Sequence, residues 1–407
     1  MKRDLDRLME ARGLDALVVT GEMLGNPSLH YMVNGANVGW GIVVQKRGEE
    51  ATFVCSPIER EEAATSGLTV VNVSHYDYRE LVSKEPDRLA AEVELYRRVF
   101  ADLGVSGRVG FYGVGDRGGA WLLLNALDQK LEGVEVFGEY DQTLIDEARA
   151  TKDAAEVERI RQVGRQTADI FGQIVEFLQS HRVQDGALVQ ADGTPLTLGR
   201  VHQEISRFVA EKRLECPEGF IFSIGRDAGV PHNTGNPDDL VVLGQTIIFD
   251  LYPAEAGGGY FFDMTRTFCL GYAPPEVEKA YRDVFDCLEM LAGAYKVGAA
   301  TRRYQQMTCE FFEGRGHPTI ATDSKAEAGY VHTVGHGVGL AVHEEPFFAD
   351  IPSNTSLLQP GHVFACEPGL YYPGQGFGLR IEDLFWIDAA GAVLNLTDFT
   401  KELVVAV

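Results

Sequence analysis

Two aspartates lie at matching positions on the two arms of a predicted β-hairpin, in the stretch TIIFDLYPAEAGGGYFFDMTRT at residues 246–267. Each strand-like run carries one of them, Asp250 and Asp263, and the glycines at 257–259 let the chain reverse between the runs. The midpoint between the aspartates falls between Ala256 and Gly257, so a symmetric hairpin would place them directly opposite each other. Carboxylates this close repel, and a bound cation would relieve the repulsion. Two hydrated aspartates on an exposed hairpin are the alternative.

A second pair of carboxylates has the same arrangement. Glu367 in ACEPG and Glu382 in GLRIED are symmetric about a YPGQG turn, with their midpoint between Gly374 and Gln375. Four carboxylates around one small volume exceed what one divalent ion neutralises, so the pattern predicts two ions, which lie about 3.5–4 Å apart in dinuclear sites. Oxygen-rich ligation favours Mn²⁺ over zinc, which prefers thiolates, and Co²⁺ and Zn²⁺ are the alternatives. Each glutamate taken singly would be an ordinary hydrated charge.

Three histidines follow one another in the stretch HTVGHGVGLAVHEEP, which begins at His332. His336 has glycines at 335, 337 and 339 around it, which lets backbone and other groups come close to its ring. This pattern predicts a nitrogen ligand for the metal. The stretch is not a zinc-peptidase helix, because H-E-x-x-H is absent and Phe347 stands where the second histidine would be. A hydrogen-bonded structural role is the alternative for each histidine alone.

The elements that must position these residues are predicted to form two domains, since 407 residues are too many for one ordinary core. Residues 1–148 alternate strand and helix patterns, which predicts an α/β domain with a mixed sheet, and residues 149–407 combine long helices with antiparallel hairpins, which predicts an α+β domain. The predicted helices are 2–12, 57–66, 85–103, 120–130, 154–180, 199–213, 275–296 and 301–315. The predicted strands of the first domain are 14–21, 40–45, 51–56, 68–73, 108–113 and 134–140. Residues 184–197 are expected to be a surface insertion.

The composition limits the partners. A net charge of −24 argues against binding a nucleic-acid backbone or an anionic membrane. No apolar run is long enough for a transmembrane helix, and the start MKRDLDRLMEARG lacks the apolar stretch of a signal peptide. The six cysteines form no C-x-x-C pair, which is typical of reduced cytoplasmic thiols. We therefore expect a cytoplasmic protein that binds neither nucleic acid nor membrane.

Taken in order, the candidate residues resemble those of the pita-bread metallopeptidases. This family includes the Xaa-Pro aminopeptidases, the Xaa-Pro dipeptidases or prolidases, and the methionine aminopeptidases. The match covers about residues 150–407, and RLMEARGLDALVVT resembles the start of the creatinase-type domain of the proline-specific members. The resemblance implies a creatinase-like domain at 1–148 and a pita-bread catalytic domain at 149–407. The residues that carry it are His232, Asp250, Asp263, His332, His336, His343, Glu367, Arg380 and Glu382.

The resemblance also implies a role for each matching residue. Metal ligands would be Asp250, Asp263, His336, Glu367 and Glu382, with Asp263 and Glu382 bridging two ions. Glu367 would act as general base, and His232 and His343 would bind substrate and stabilise the tetrahedral species. His332 would be a further catalytic and substrate-binding histidine. Arg380 would support the carboxylates during catalysis, and Tyr371 would contact the substrate, with Phe261 as a further candidate.

The implied activity is hydrolysis of the peptide bond before proline, in dipeptides or at the N-terminus of short peptides, by a homodimer with two divalent ions per chain. Chain length favours a dipeptidase over an aminopeptidase. A creatinase-type C–N hydrolase and a metal-free binding protein are alternatives that the intact ligands argue against. A methionine aminopeptidase is a fourth alternative, although those enzymes lack the large first domain. One departure from the family is that Asp250 and Asp263 are two residues further apart than usual.

Overall fold

The computed structural model describes residues 2–407, which divide into two compact units. The N-terminal unit extends to Arg149 and includes Gly257–Gly259, and the C-terminal unit comprises Ala150–Ala256 and Tyr260–Val407. Within residues 2–407, no helix combines the length and the apolar character that crossing a bilayer would require.

The N-terminal unit contains a mixed six-stranded sheet with helices. Its strands are β1 (Ala16–Glu22), β2 (Trp40–Lys46), β3 (Thr52–Cys55), β4 (Thr69–Asn72), β5 (Gly107–Val114) and β6 (Val134–Phe137). Its helices are α1 (Leu5–Arg12), α2 (Pro27–Met32), α3 (Arg60–Ala64), α4 (Tyr78–Lys84), α5 (Arg88–Leu103), α6 (Arg117–Lys130) and α7 (Leu144–Ala150). The strand order is β4-β3-β2-β1-β5-β6. Parallel pairing of β5 with β1 and β6, and antiparallel pairing of β2 with β1 and β3, make the sheet mixed.

The elements predicted for this unit are found within a few residues of their predicted bounds. Apolar side chains on one face of the sheet pack with α5 into a core that includes Val18, Ile42, Val54, Tyr96 and Phe100. Helices α2, α4 and α7 were not predicted, because helices of 6 or 7 residues are too short to show a helical apolar period.

The C-terminal unit holds the long helices and most of the short strands. Its helices are α8 (Ala154–Gln179), α9 (Leu198–Glu211), α10 (Pro275–Ala294) and α11 (Arg302–Glu313). Its strands are β7 (Arg182–Gln184), β8 (Ala187–Val189), β9 (Leu214–Glu215), β10 (Ile221–Ile224), β11 (Thr246–Leu251), β12 (Ala254–Glu255), β13 (Met264–Leu270), β14 (His336–Gly337), β15 (Glu344–Phe347), β16 (Val363–Cys366), β17 (Gly369–Tyr372), β18 (Phe377–Arg380), β19 (Asp383–Ile387), β20 (Val393–Asn395) and β21 (Val404–Val405).

Two sheets and a separate hairpin position the candidate residues of this unit. One sheet has the order β10-β11-β13-β21, the other has the order β15-β14-β16-β19-β20, and β17 pairs with β18 alone. Helices α10 and α11 pack against the second sheet through a core that includes Leu288, Leu291, Tyr304, Phe312 and Phe364. The unit is therefore α+β, as its mixture of long helices and hairpins predicts.

Helix α8 opens the C-terminal unit and has a strong start signal. The Asp153 side chain accepts hydrogen bonds from the backbone N–H groups of Ala155 and Glu156, and the Glu156 carboxylate accepts one from the Asp153 N–H. This capping box satisfies donors that a helix start otherwise leaves open. The apolar positions Val157 and Ile160 begin the buried face that the helical period predicts.

The expectation that residues 184–197 form a surface insertion is wrong for their apolar part. Ala187, Leu188 and Val189 are buried in β8, and Leu196 is buried as well. The Leu188 N–H donates to the carbonyl of Val241 at 2.9 Å, and the Leu196 N–H donates to the carbonyl of Leu188 at 2.8 Å. The turn residues in this stretch therefore belong to a hairpin whose second strand, β8, is buried.

Candidate metal centre

The first hairpin has a different register from the one predicted. Strand β11 pairs with β13 so that Asp250 lies opposite Thr265, and direct opposition of Asp250 and Asp263 is therefore wrong. This register centres the reversal between Gly257 and Gly258, whose φ angles of 87° and 86° suit glycine. Because the shift is two residues, the aspartates remain diagonal neighbours on one face of the sheet.

The second hairpin has the predicted register. Cys366 pairs with Asp383 in one ladder and Gly369 pairs with Arg380 in the next, which places Glu367 opposite Glu382 between them. A 3-10 turn at Pro373–Gln375 reverses the chain. This part of the hairpin prediction is confirmed.

Three buried side chains from three strand regions converge on one point. Ligand-type atoms of Asp263, His336 and Glu382 all lie within 4.8 Å of one another. His336 Nε2 is 3.8 Å from Asp263 Oδ2 and 3.9 Å from Glu382 Oε1. Glu367 Oε1 adds a third carboxylate 3.6 Å from the same nitrogen. These four residues thus form one carboxylate–imidazole cluster.

Asp250 joins this cluster through Arg380. The Arg380 guanidinium makes a buried ion pair with Asp250 Oδ2, and its Nε donates to Thr265 Oγ1 at 3.3 Å. Thr265 in turn donates to Glu382 Oε2 at 2.8 Å. One oxygen of Asp250 and one of Glu382 are therefore held by the protein, which leaves the other oxygen of each available to a ligand.

Three carboxylate oxygens of these residues lack hydrogen-bond partners. Asp250 Oδ1, Asp263 Oδ1 and Glu382 Oε1 are buried and accept no hydrogen bond from residues 2–407. Burial, with repulsion from Glu382 and Asp250, holds the pKa of Asp263 well above its usual value. Burial, with repulsion from Glu367 and Asp250, does the same to the pKa of Glu382. Such orphaned and mutually repelling oxygens fit divalent cations.

Glu367 lies at the outer side of the cluster. Its Oε1 is directed to His336, and its Oε2 is 3.9 Å from His332 Nδ1. Burial raises the pKa of Glu367 to about 8, with Arg380 opposing the rise and Asp250 adding to it. Without a cation this carboxyl therefore holds a proton at neutral pH.

The imidazole of His336 presents an acceptor to these acids. Its Nδ1 donates to the Gly337 carbonyl at 3.1 Å, which leaves the lone pair of Nε2 facing the carboxylates. Burial, with repulsion from His343, lowers the pKa of His336 to about 3, so the ring is neutral near pH 7. A neutral imidazole oriented by a backbone carbonyl is the usual state of a metal-binding histidine.

Glycines bring backbone up to His336, as the sequence predicts. A Cβ atom on Gly335 would lie 2.1 Å from the Ala365 carbonyl oxygen, and one on Gly337 would lie 2.0 Å from the Glu345 carbonyl oxygen. No side chain fits at either position, so β14 reaches its place only because these residues are glycine.

The half-buried His332 and the buried Tyr371 and Arg380 form a hydrogen-bonded chain beside the cluster. Arg380 Nη1 donates to the Tyr371 hydroxyl oxygen at 2.8 Å, so the hydroxyl proton is free for His332 Nε2 at 2.9 Å. His332 Nδ1 then donates to the Thr333 carbonyl at 2.7 Å. Burial lowers the pKa of His332 to about 3, with Arg380 adding to the effect, and the ring is neutral.

His343 and His232 are the exposed histidines of the set. The ring centroid of His343 lies 4.2 Å from that of His336. Partial burial lowers the pKa of His343, although the Glu218 carboxylate opposes this. The carbonyl of Pro231, directly before His232, accepts from Arg380 Nη1 at 3.2 Å.

The structure also reveals supporting residues that the sequence reasoning missed. Thr265 was overlooked, although it lies in β13 two residues after Asp263, which directly precedes the strand, and this spacing places both side chains on one face. Gln305 on α11 was overlooked because nothing local identifies it. Its Oε1 accepts from the Tyr330 hydroxyl at 2.8 Å and from the Val334 N–H at 2.7 Å, and its Nε2 donates to the His332 carbonyl at 3.1 Å.

The fold and the cluster define a protein with a candidate site for divalent metal ions. Residues 158–389, more than half of the chain, match the sequence model of metallopeptidase family M24. The chain belongs to this family, and the resemblance to the pita-bread metallopeptidases is confirmed. Family membership and the buried cluster together indicate that the protein uses divalent metal.

Individual relatives extend this result. Probable dipeptidase PepE of Mycobacterium tuberculosis is 30% identical over 257 residues, which are 63% of this chain and 61% of PepE, so the match spans less than two thirds of that relative. The Xaa-Pro dipeptidase from Bacillus anthracis is similar in structure, with a TM-score of 0.76 and 21% identity over 99% of both chains. The X-Pro aminopeptidase from Thermotoga maritima has a TM-score of 0.75 and 20% identity over 98% of this chain and 100% of its own. These likenesses confirm the predicted fold class.

Proposed function

We propose that this chain is a peptidase that uses two divalent metal ions to hydrolyse the bond before proline, in Xaa-Pro dipeptides or at the N-terminus of short peptides. The observation that carries the proposal is the buried cluster in which one carboxylate oxygen each of Asp250, Asp263 and Glu382 accepts no hydrogen bond from residues 2–407. The names of the relatives, a probable dipeptidase and an Xaa-Pro dipeptidase, support the substrate class. Mn²⁺ is the preferred ion because the ligands are mostly oxygens, with Co²⁺ and Zn²⁺ as alternatives.

The proposed ligands are Asp250, Asp263, His336, Glu367 and Glu382. When bound, the ions would supply Lewis acidity and a more acidic water molecule. Glu367 is placed to hold a proton at Oε2, on the side of His332, and we assign it the transfer of that proton to the leaving nitrogen. His343 is exposed and neutral, so its N–H can donate to the carbonyl oxygen as negative charge develops there.

The remaining residues would hold the substrate. The nitrogen of an Xaa-Pro bond carries no N–H, so a site that cuts this bond must recognise the rigid ring by its shape. We assign this recognition to His232, His332 and His343. Tyr371 is fully buried, and its part would be to orient His332 through their hydrogen bond of 2.9 Å. Arg380 would keep Asp250 in place.

Further properties also remain proposals. We propose that residues 1–148 are a creatinase-like domain and that residues 149–407 are the catalytic domain. We also propose a homodimer in the cytoplasm, acting on short proline-containing peptides rather than on nucleic acid or membrane. The net charge of −24 supports the last point.

One experiment tests the proposed function. Protein stripped with a chelator and reloaded with Mn²⁺ should bind about two ions per chain, as a dinuclear site requires. It should cleave Ala-Pro or Leu-Pro bonds well above Met-Ala or Ala-Ala bonds, and the stripped protein should cleave none. Comparison of kcat/KM for Ala-Pro and Ala-Pro-Ala distinguishes a dipeptidase from an aminopeptidase. Full activity in chelator, or faster cleavage of Met-Ala than of any proline substrate, would contradict the proposal.

A further inference from the structure

A buried ion pair lies beside the candidate site and has no part in the roles assigned above. Lys152, just before α8, donates through Nζ to the carboxylate of Glu344, the first residue of β15. The two side chains are only 1% and 2% exposed. Lys152 Nζ also donates to the Ala150 carbonyl at 3.0 Å. The start of the C-terminal unit is thereby tied to a residue 192 positions further along the chain.

Stability alone is a poor explanation for this pair. Moving a lysine and a glutamate out of water is expensive, and their attraction in the interior often does no more than offset that cost. Two apolar side chains of similar volume would stabilise the fold at least as well. A buried ion pair can, however, fix the relative positions of its two residues, because the two charges must lie close together.

The backbone before Glu344 is wrapped around the pair. The Ala341 N–H donates to Glu344 Oε2 at 3.3 Å. A Cβ atom on Gly339 would lie 2.2 Å from Glu344 Oε1 and 2.7 Å from Lys152 Cε, so only glycine lets the chain pass there. The Gly339 carbonyl accepts from the Phe261 N–H at 2.8 Å, which connects this loop to the first hairpin. The position of the pair thus determines the path of residues 338–343.

This backbone path determines where His343 lies. His343 ends the bend that directly precedes Glu344, the first residue of β15, so the two residues share one short piece of backbone. Glu344 is buried with Lys152, whereas His343 is exposed with its ring 4.2 Å from that of His336. Any shift of the Glu344 carboxylate would therefore move the His343 imidazole relative to the cluster.

We propose that the Lys152–Glu344 ion pair positions His343, and that Lys152 is consequently a positioning residue for the reaction. The effect on rate rests on the proposed function, whereas the placement of the imidazole does not. Near the chemistry, a displacement of about 1 Å can reduce a rate by as much as 10²-fold.

The test uses variants of the full chain. Lys152→Met alone would leave the Glu344 charge buried without the lysine and would destabilise the fold, so the main variant is Lys152→Met/Glu344→Gln, which removes both charges. We expect it to keep its metal content and to lose kcat by about 10-fold with KM nearly unchanged. The His343→Ala variant should itself keep the metal. In that background the same double change should have no further effect on kcat, because the imidazole that the ion pair is proposed to position is absent.

The control variant removes a different lysine–carboxylate pair, which joins α8 to the residue directly after α9. Lys212 Nζ lies 2.7 Å from Asp169 Oδ2, and both side chains are partly exposed. Lys212→Met/Asp169→Asn should leave kcat unchanged. Wild-type kcat in Lys152→Met/Glu344→Gln, or effects that multiply with His343→Ala, would overturn the proposal.

A second measurement is independent of turnover. Imidazole ¹H–¹⁵N NMR signals of His343 in the metal-free protein should shift in Lys152→Met/Glu344→Gln and stay in place in the control variant. Unchanged His343 signals would overturn the positioning role. If the wild type cleaves no peptide at all, the proposed function fails, and these NMR spectra alone decide the role of the pair.

Discussion

The lone pair of His336 Nε2 points at three carboxylates, 3.6–3.9 Å away. This arrangement is electrostatically unfavourable unless a positive charge lies between the groups. A proton on His336 is rare at neutral pH, because burial lowers the pKa of the ring to about 3. Without metal, protons on the acids relieve the repulsion instead, which is why the pKa values of Asp263, Glu367 and Glu382 are raised. A divalent cation satisfies the imidazole and the carboxylates together, which is the physical reason for placing metal here.

Glu367 offers the sharpest residue-scale prediction. Glu367→Gln keeps an oxygen that can bind metal but removes the group that accepts a proton. We expect kcat to fall by about 10²-fold or more, since general-base catalysis is typically worth that much. Far-UV circular dichroism should be unchanged, and elemental analysis should still find metal. A variant with the wild-type kcat would show that Glu367 is not the base.

At the scale of elements, the two hairpins show what the sequence could predict. In the YPGQG turn, Pro373 and the second of its two glycines, Gly376 with φ 81°, bracket a single reversal, and the register was predicted correctly. The AEAGGG turn has three adjacent glycines, which permit more than one centre, and its register was wrong by two residues. Because side chains alternate between the two faces of a strand, an error of two residues still leaves both aspartates on the same face of the sheet.

Supporting contacts between distant segments were beyond prediction for a different reason. Lys152 and Glu344 are 192 residues apart, and Gln305 reaches Val334 from another element. Neither contact leaves a local period or motif, because only the tertiary fold brings these segments together. Candidate residues that stand in recognisable local motifs, Arg380 among them, could be proposed from the sequence, whereas Lys152 and Gln305 could not.

The glycines beside His336 give a prediction at this scale. Gly337→Ala would force a Cβ atom to within 2.0 Å of the Glu345 carbonyl oxygen, so β14 must move away from β15. We expect a lower melting temperature and weaker metal binding. Gly374→Ala is the control, because a Cβ atom there would have no neighbour within 4 Å. Equal melting temperatures and metal affinities for the two variants would show that the close approach around His336 is dispensable.

At the scale of the whole molecule, the charge of the metal-free protein works against folding. The chain carries a net charge of −24, and four of its carboxylates surround one site. Self-repulsion of this kind destabilises a compact state. Cations that bind only the folded chain should therefore stabilise it strongly, by mass action.

The pH dependence of stability follows from the same carboxylates. Burial raises the pKa of Glu367 from 4.5 to about 8, and the pKa values of Asp263 and Glu382 are raised as well. A carboxyl with a higher pKa in the folded than in the unfolded chain binds more protons when folded, so the free energy of unfolding falls as pH rises between the two values. Below about pH 6.5 the unfolded chain also binds protons at histidines that stay neutral in the fold, His332 and His336, and this effect has the opposite sign. We therefore expect the melting temperature of the metal-free protein to fall between about pH 6.5 and pH 8, by about 5 °C.

Thermal unfolding at about pH 6.5, 7, 7.5 and 8, with chelator or with saturating Mn²⁺, measures this effect. Mn²⁺ replaces the protons and binds more tightly as they leave, so the melting temperature with metal should not fall over this range. In Glu367→Gln one titrating group is gone, and the fall without metal should be smaller than in the wild type. A metal-free wild type that becomes more stable between about pH 6.5 and pH 8, or a slope that Glu367→Gln leaves unchanged, would mean that repulsion within the cluster does not limit the stability of the metal-free fold.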